Sequence, residues 1–378
     1  MKVTMRIEKE TRYKQKETYM NMEKKIFIRF LFAALLITAG CRKDDTPAEE
    51  KTPVGFRAMS QDVLVKSGDV PVRKSLHEYG INTFGVWGIS RNDLNVQYLW
   101  NQPAANNTVQ LVPVTAETVN GEEIYVPAED GYWFSNSTHD FLALASAEPG
   151  TTNTFGTTGL SVTHTDAAGA QTNPVMTFTY DMSSKYNPGT GKTPDYTYDL
   201  LGAAARKEVE KVIPTSQDLV FWHLFSQIVI NTSFDKDLNG NQIVGEVTAM
   251  HFKDVKASGN YIVKYKSDSE LDVTPTANDT PLADISLTGS SVTLNIIPQD
   301  VKAFELYLDF RIKEGTEWVT YNNFKINLDV PQNKDPYIFN NKYNWNITIG
   351  TKATIKFVVS VNPWKNATED DFDPEIDM

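Results

Sequence analysis

Phe304-Glu-Leu-Tyr-Leu-Asp-Phe-Arg-Ile312 alternates apolar and polar side chains without a break. In an extended chain, successive side chains point to opposite sides, so Phe304, Leu306, Leu308, Phe310 and Ile312 share one face. A helix would spread these five around its axis. The stretch therefore predicts a strand with one face in a core and the other in water. The same alternation recurs on both sides of it. Val292, Leu294 and Ile296 precede it, and Tyr343, Trp345, Ile347 and Ile349 follow, then Ile355, Phe357, Val359 and Val361. In the first half, Phe84 with Val86, Met176 with Phe178 and Tyr180, and the run Asp140–Ala145 read as strands. Turn residues separate these runs every ten residues or so, which predicts antiparallel β-sandwiches rather than a parallel α/β sheet.

The chain has 378 residues, of which 40% are apolar and 11% aromatic, enough for substantial cores. Length predicts two domains, and the charged stretch Arg206–Pro214 is the expected boundary. The expected division is residues 61–212 and 213–364, each an antiparallel β-sandwich, followed by an acidic tail at 365–378. Leu200-Leu-Gly-Ala-Ala-Ala-Arg-Lys-Glu-Val209 is left open between a short helix and a strand. Its alanines favour helix, but Pro214 follows closely.

Net charge is −12, and it is unevenly spread. Residues 1–41 carry +5, so the remainder carries −17. A surface that acidic argues against a nucleic-acid partner. A single cysteine excludes an intramolecular disulfide framework and a cysteine-rich zinc site, and no cofactor is expected.

That cysteine, Cys41, closes an export signal. Met22–Arg29 is basic, Phe30–Ala39 is apolar but too short to span a bilayer, and Gly40 is small. The polar residues before Met22 would blunt such a signal, so Met22 is the expected start. Ala39-Gly40-Cys41, with Leu36 and Ile37 upstream, resembles the lipobox of bacterial lipoproteins, in which the cysteine is lipidated. Thr38 departs from the usual larger aliphatic residue. Two or more acyl chains on Cys41 would anchor the chain stably. Residues 42–60 then read as a tether, polar and proline-containing at the front. Lys43-Asp44-Asp45 resembles the short acidic surface-export signal of Bacteroidota lipoproteins.

Several motifs carry chemistry on paper. Asn187-Pro-Gly-Thr-Gly-Lys-Thr193 lacks the first glycine of a phosphate loop, and Pro194 follows where a helix must start, so it reads as a loop. Asp235–Glu246 fits a calcium-loop pattern, with Asp235, Asp237, Asn239 and Glu246 as oxygen donors. The flanks Ile228–Ile230 and Val247–Met250 read as strands, where helices are needed, so a polar hairpin turn is the favoured reading. A Ser–His–acid site needs its parts to meet only in space. No Gly-x-Ser-x-Gly elbow is present, His139 and His251 lie in strand-like runs, and His223 reads as a core histidine. Tyr132-Trp-Phe134, Tyr98, Trp100 and Trp364 are candidates for a glycan-stacking platform, or for core.

Taken in order, several stretches resemble the fimbrillin family, the type V pilins and related lipoproteins of the Bacteroidota. They are Tyr132-Trp-Phe with Asp140-Phe-Leu-Ala-Leu-Ala145, and Tyr198-Asp-Leu-Leu-Gly-Ala203. Leu219–Ile228 with its His223, Ile297-Pro-Gln299, Tyr343–Ile349 and Pro363-Trp364 complete the set. The resemblance implies two transthyretin-like β-sandwich domains in tandem and no catalysis. It implies a subunit at the outer-membrane surface that joins other pilin subunits into a fimbrium and supports adhesion to a host or bacterial ligand. It also implies cleavage after an arginine near the front, which removes the first strand and leaves a groove for a neighbour's strand. Arg73 is the favoured arginine and Arg57 the second. Residues 352–361 have the alternation of a donor strand, or of core. The alternative is a non-polymerising surface lipoprotein that binds glycans.

Overall fold

The computed structural model describes residues 52–363, except 65–71, 93–94, 101–107, 120–121, 147–154, 166–170, 212–213, 215, 238, 268–269, 301–303, 327–337 and 351–354. Among the described residues the chain is almost wholly strand. β1 (Phe56–Leu64) and β2 (Val72–Ser75) lead through a 3-10 turn at His77–Tyr79 to β3 (Thr83–Arg91) and β4 (Val96–Tyr98). β5 (Val112–Val119), β6 (Glu122–Pro127), β7 (Ser137–Ser146), β8 (Thr157–Thr165) and β9 (Gln171–Asp181) follow. A one-turn helix at Ser183–Tyr186 precedes β10 (Leu200–Val209) and β11 (Gln217–His223). The rest comprises β12 (Ser226–Phe234), β13 (Gly245–Lys256), β14 (Ser258–Ser267), β15 (Glu270–Ala277) and β16 (Leu282–Thr288). β17 (Ser291–Ile296), β18 (Glu305–Glu314), β19 (Glu317–Ile326), β20 (Asn341–Ile349) and β21 (Ile355–Pro363) end it.

The first sheet runs β11-β10-β7-β3-β5-β6-β1-β2, with β4 added beside β3. β1 also pairs with β11, so β11, β10, β7, β3, β5, β6 and β1 close into a ring. The other sheets run β17-β12-β20-β21, β16-β13-β18-β19 and β15-β14-β9-β8. Strands from both sides of position 212 share two of the four sheets: β10 pairs with β11, and β9 pairs with β14. Two pairings depart from the antiparallel expectation. β1–β11 and β12–β20 are parallel. Parallel neighbours need a long crossover, and more than 100 residues separate each pair here.

The alternating stretches land as strands. In β18, Leu306, Leu308, Phe310 and Ile312 are buried while their neighbours face outward. β20 buries Tyr343, Trp345, Ile347 and Ile349 in the same way. The open segment 200–209 is β10, a strand, and its alanines have a packing reason. Ala203 and Ala205, with Ala143 and Ala145 of β7, face the ring interior, which Phe56, Phe84, Tyr125, Phe141 and Phe221 fill. Small residues on two adjacent strands leave room for large rings on the others. The other face of β3, β7 and β10 carries Trp87, Ile89, Leu142, Leu144 and Leu200 into a second core, shared with β9, β14 and the remaining sheets. Burial on both faces explains why β7 reads as a continuous apolar run.

One ionic cluster fastens the ring to the sheet that covers it. Asp140 on β7 is 1% exposed and lies between Arg91 of β3, 2.8 Å away, and Arg206 of β10, 2.6 Å away. Both guanidiniums also donate to the Asn173 amide oxygen on β9, and Arg206 stacks over the Tyr265 ring of β14.

Candidate functional site

β1 is the closing strand of the ring, and it lies in a trough. Val54, Phe56 and Ala58 point inward and are 2%, 0% and 2% exposed; Ser60 is the next inward residue, at 5%. Phe56 enters an aromatic pocket, with ring centroids 6.0 Å from Phe84, 5.2 Å from Phe141 and 6.3 Å from Trp100. Trp100 covers the pocket at Gly131, where a Cβ would stand 2.5 Å from the indole nitrogen, so only glycine fits. On one side β1 pairs in parallel with β11, from Phe56 opposite Gln217 to Ser60 opposite Phe221. On the other, its leading residues pair with β6 and the segment beyond it. Phe56 lies opposite Tyr125, and the Val54 amide donates to the Gly131 carbonyl. Arg57 points outward and ion-pairs with Asp218 across the β1–β11 ladder at 2.7 Å.

The two candidate arginines occupy different places. Arg57 lies inside β1, in the parallel ladder with β11. Arg73 lies in β2, opposite Val63, and β2 is the end strand of its sheet, paired with β1. All of β1 precedes Arg73, whereas a cut after Arg57 would divide β1. Cys41 and the acidic tail 365–378 lie outside the described residues.

The other marked residues fall elsewhere. The loop 187–193 carries two glycines with positive φ, Gly189 and Gly191, and no helix follows it. In the 235–246 segment, the Asp237 carboxylate accepts the amides of Asn239 and Asn241, both at 2.8 Å. Those hydrogen bonds, the Asn241 amide first, hold its pKa below the ordinary aspartate value. Glu246 instead ion-pairs with Arg311 on β18. The turn closes on itself through a Lys236–Gln242 bridge, but the strands it joins, β12 and β13, belong to different sheets, so it is not a hairpin. His139 is fully buried between Trp133 and Phe134, and its Nε2 accepts the Phe134 amide at 3.1 Å. Burial lowers its pKa to about 4. His223 is half-buried and bonds Asp199. His251 links the Ser286 hydroxyl to the Asp309 carboxylate, 2.9 Å on each side. That order of groups resembles a nucleophile, base and acid, yet Ser286 is exposed on the outer face of an open sheet. A working nucleophile needs a site that holds substrate and excludes water. Burial pushes the Asp309 pKa up, but the Asn323 amide and His251 outweigh it and hold the carboxyl below the usual range.

β1 is thus a ring-closing strand, the first among the described residues, buried along one face from Phe56 to Ser60 and paired on both edges. A family model for fimbrillin-like proteins matches residues 82–364. The chain belongs to the fimbrillin-like family. Solved structures similar to it include a fimbrial protein from Bacteroides vulgatus, at 15% identity and TM-score 0.45, covering 75% of this chain and 93% of that one. A fimbrial assembly protein from Parabacteroides distasonis is 13% identical with TM-score 0.39, covering 83% and 100%. The tip fimbrial protein Mfa3 from Porphyromonas gingivalis, truncated at its C-terminus, is 9% identical with TM-score 0.34, covering 83% and 100%. A search of curated proteins finds no match.

In this fimbrillin-like chain the candidate platform aromatics are mostly packed. Trp133 is buried in the ring, Phe134 stacks on His139, and Tyr98 bonds His164 at 2.6 Å. Trp100 covers Phe56, and Trp364 lies outside the described residues. Sequence reading passed over Trp318, which is 43% exposed with the Arg311 guanidinium 4.7 Å above its ring. Its place in the exposed row of β19 was the available signal. Sequence reading also passed over Asp218 and the aromatic pocket around Phe56, because their partners are distant along the chain.

Proposed function

We propose that the chain is a structural subunit of a cell-surface fimbrium, joined to other subunits by strand donation. It is exported as a lipoprotein, carries its lipid on Cys41 and reaches the outer-membrane surface on a tether shorter than the 42–60 expected, because residues 54–60 belong to the ring-closing segment. A trypsin-like cut after Arg73 then removes β1 together with the anchor. The trough between β6 and β11 is left open, and a strand of a neighbouring subunit fills it. Assembled subunits in turn support adhesion.

The place of β1 carries this reading. It closes the ring, it precedes Arg73 whole, and its inward residues are apolar or small. Its removal exposes two strand edges with unpaired amides and carbonyls above an apolar trough, a template that readily captures another strand. Family membership supports assembly with other fimbrial subunits. Electron microscopy of the purified mature protein after mild trypsin tests the proposal. Polymers are the expected result, and persistent monomers contradict it.

A further inference from the structure

Four inward positions and one outward charge line the trough that β1 occupies. We propose that the trough selects its incoming strand by sequence, a deepening that rests on the strand-donation reading. The strand it takes is a β-strand of another subunit, running parallel to β11. Its inward residues are a branched aliphatic at the Val54 place, an aromatic ring at the Phe56 place, and small residues at the Ala58 and Ser60 places. A cation stands opposite Asp218.

Each element of that pattern comes from a named surrounding. The Phe56 pocket has rings on three sides, Phe84, Phe141 and Trp100, and edge-to-face contacts favour an aromatic occupant over an aliphatic one. Ala58 and Ser60 lie on the same buried face, at 2% and 5% exposure, so a larger group there would force the interior apart. The β11 ladder fixes direction, since residues 56–60 run parallel to 217–221. Register needs a separate device, because a slip by two residues keeps the same face inward. Such a slip would drive the aromatic into the Ala58 or Val54 place and move the cation away from Asp218. The Arg57–Asp218 pair is exposed on both sides, so it adds little affinity and serves mainly to penalise the wrong register. A subunit cut after Arg73 has lost residues 54–60, so the donor must be a different segment that repeats this pattern.

The test uses the full-length chain with a site-specific protease sequence placed between Leu64 and Val72. Cutting it nicks the folded protein without touching the trough. Labelled peptides of residues 52–64 are then offered in excess, and capture is followed by fluorescence anisotropy. The native-sequence peptide is expected to exchange in. A Phe56→Ala peptide should bind at least about 100-fold more weakly, as expected for emptying an aromatic pocket. An Ala58→Phe peptide should bind comparably weakly, and an Arg57→Glu peptide several-fold more weakly. Because only the peptide changes, the fold of the protein is common to all arms. Equal capture of native, Phe56→Ala and Ala58→Phe peptides overturns sequence selection while leaving strand exchange standing. Capture of no peptide after complete nicking overturns strand exchange itself, and selection with it.

Discussion

The Phe56 ring stands edge-on to Phe141, with centroids 5.2 Å apart and planes at 87°. That contact joins the first described strand to the centre of the ring, and it makes Phe56 the main anchor of β1. Phe56→Ala should destabilise the unprocessed protein by about 3–5 kcal/mol, the usual cost of truncating a fully buried phenylalanine. Urea denaturation of the two proteins measures it. A loss under about 1 kcal/mol would mean that β1 is not seated as described.

Arg73 and Arg57 should behave differently in the cell. Arg73→Gln is expected to leave the precursor uncut, so that one product retains both Cys41 and β1. Arg57→Gln should be processed like the parent, because Arg57 sits in the ring-closing ladder with β11, whereas Arg73 lies in the short end strand β2, which opens more readily to the extended, unpaired form a protease needs. Intact-mass measurement of surface material separates the two outcomes.

Asp140 is nearly fully buried between Arg91 and Arg206, so removing it strands two guanidiniums. Asp140→Ala should cost about 3 kcal/mol, since breaking a buried ion cluster leaves uncompensated charge. A triple variant, Asp140→Leu with Arg91→Met and Arg206→Met, should recover most of that loss. Thermal melts of both variants check the pair of expectations.

Stability should fall with acid through His139. Its folded pKa is about 4, below the ordinary histidine value of about 6.5. Between those values the unfolded chain binds the extra proton, so folding stability rises with pH across that window. The contribution is complete above about pH 6.5 and is lost as pH falls toward about 4. Between about pH 7.5 and pH 5 the loss is about 2 kcal/mol. His139→Gln, whose amide oxygen can still accept the Phe134 amide, should flatten that slope in denaturation curves. An unchanged slope would place the titrating group elsewhere.

Alternation made much of the fold legible. β18 and β20 bury the residues that period two assigns, because each has one face in the core and one in water. β10 was ambiguous because Ala203 and Ala205, at the middle of its inward face, favour helix in isolation and are small here to make room for the aromatic interior. Ring closure was not legible. Arg57 and Asp218 are 161 residues apart, and no local pattern announces a parallel pairing over that distance. The sharing of sheets across position 212 was hidden for the same reason, since β9 meets β14 only in three dimensions. The site was half legible. The arginines stand out in sequence, but the pocket for Phe56 is assembled from β3, β7 and the residue after Leu99.

The central claim is that β1 leaves before subunits join. Mass mapping of the N-terminus of subunits in purified surface fibres tests it most directly. The predicted result is a chain that begins at Lys74, with no peptide covering residues 54–64. Fibres whose subunits still carry residues 54–64 joined to the rest of the chain would contradict it.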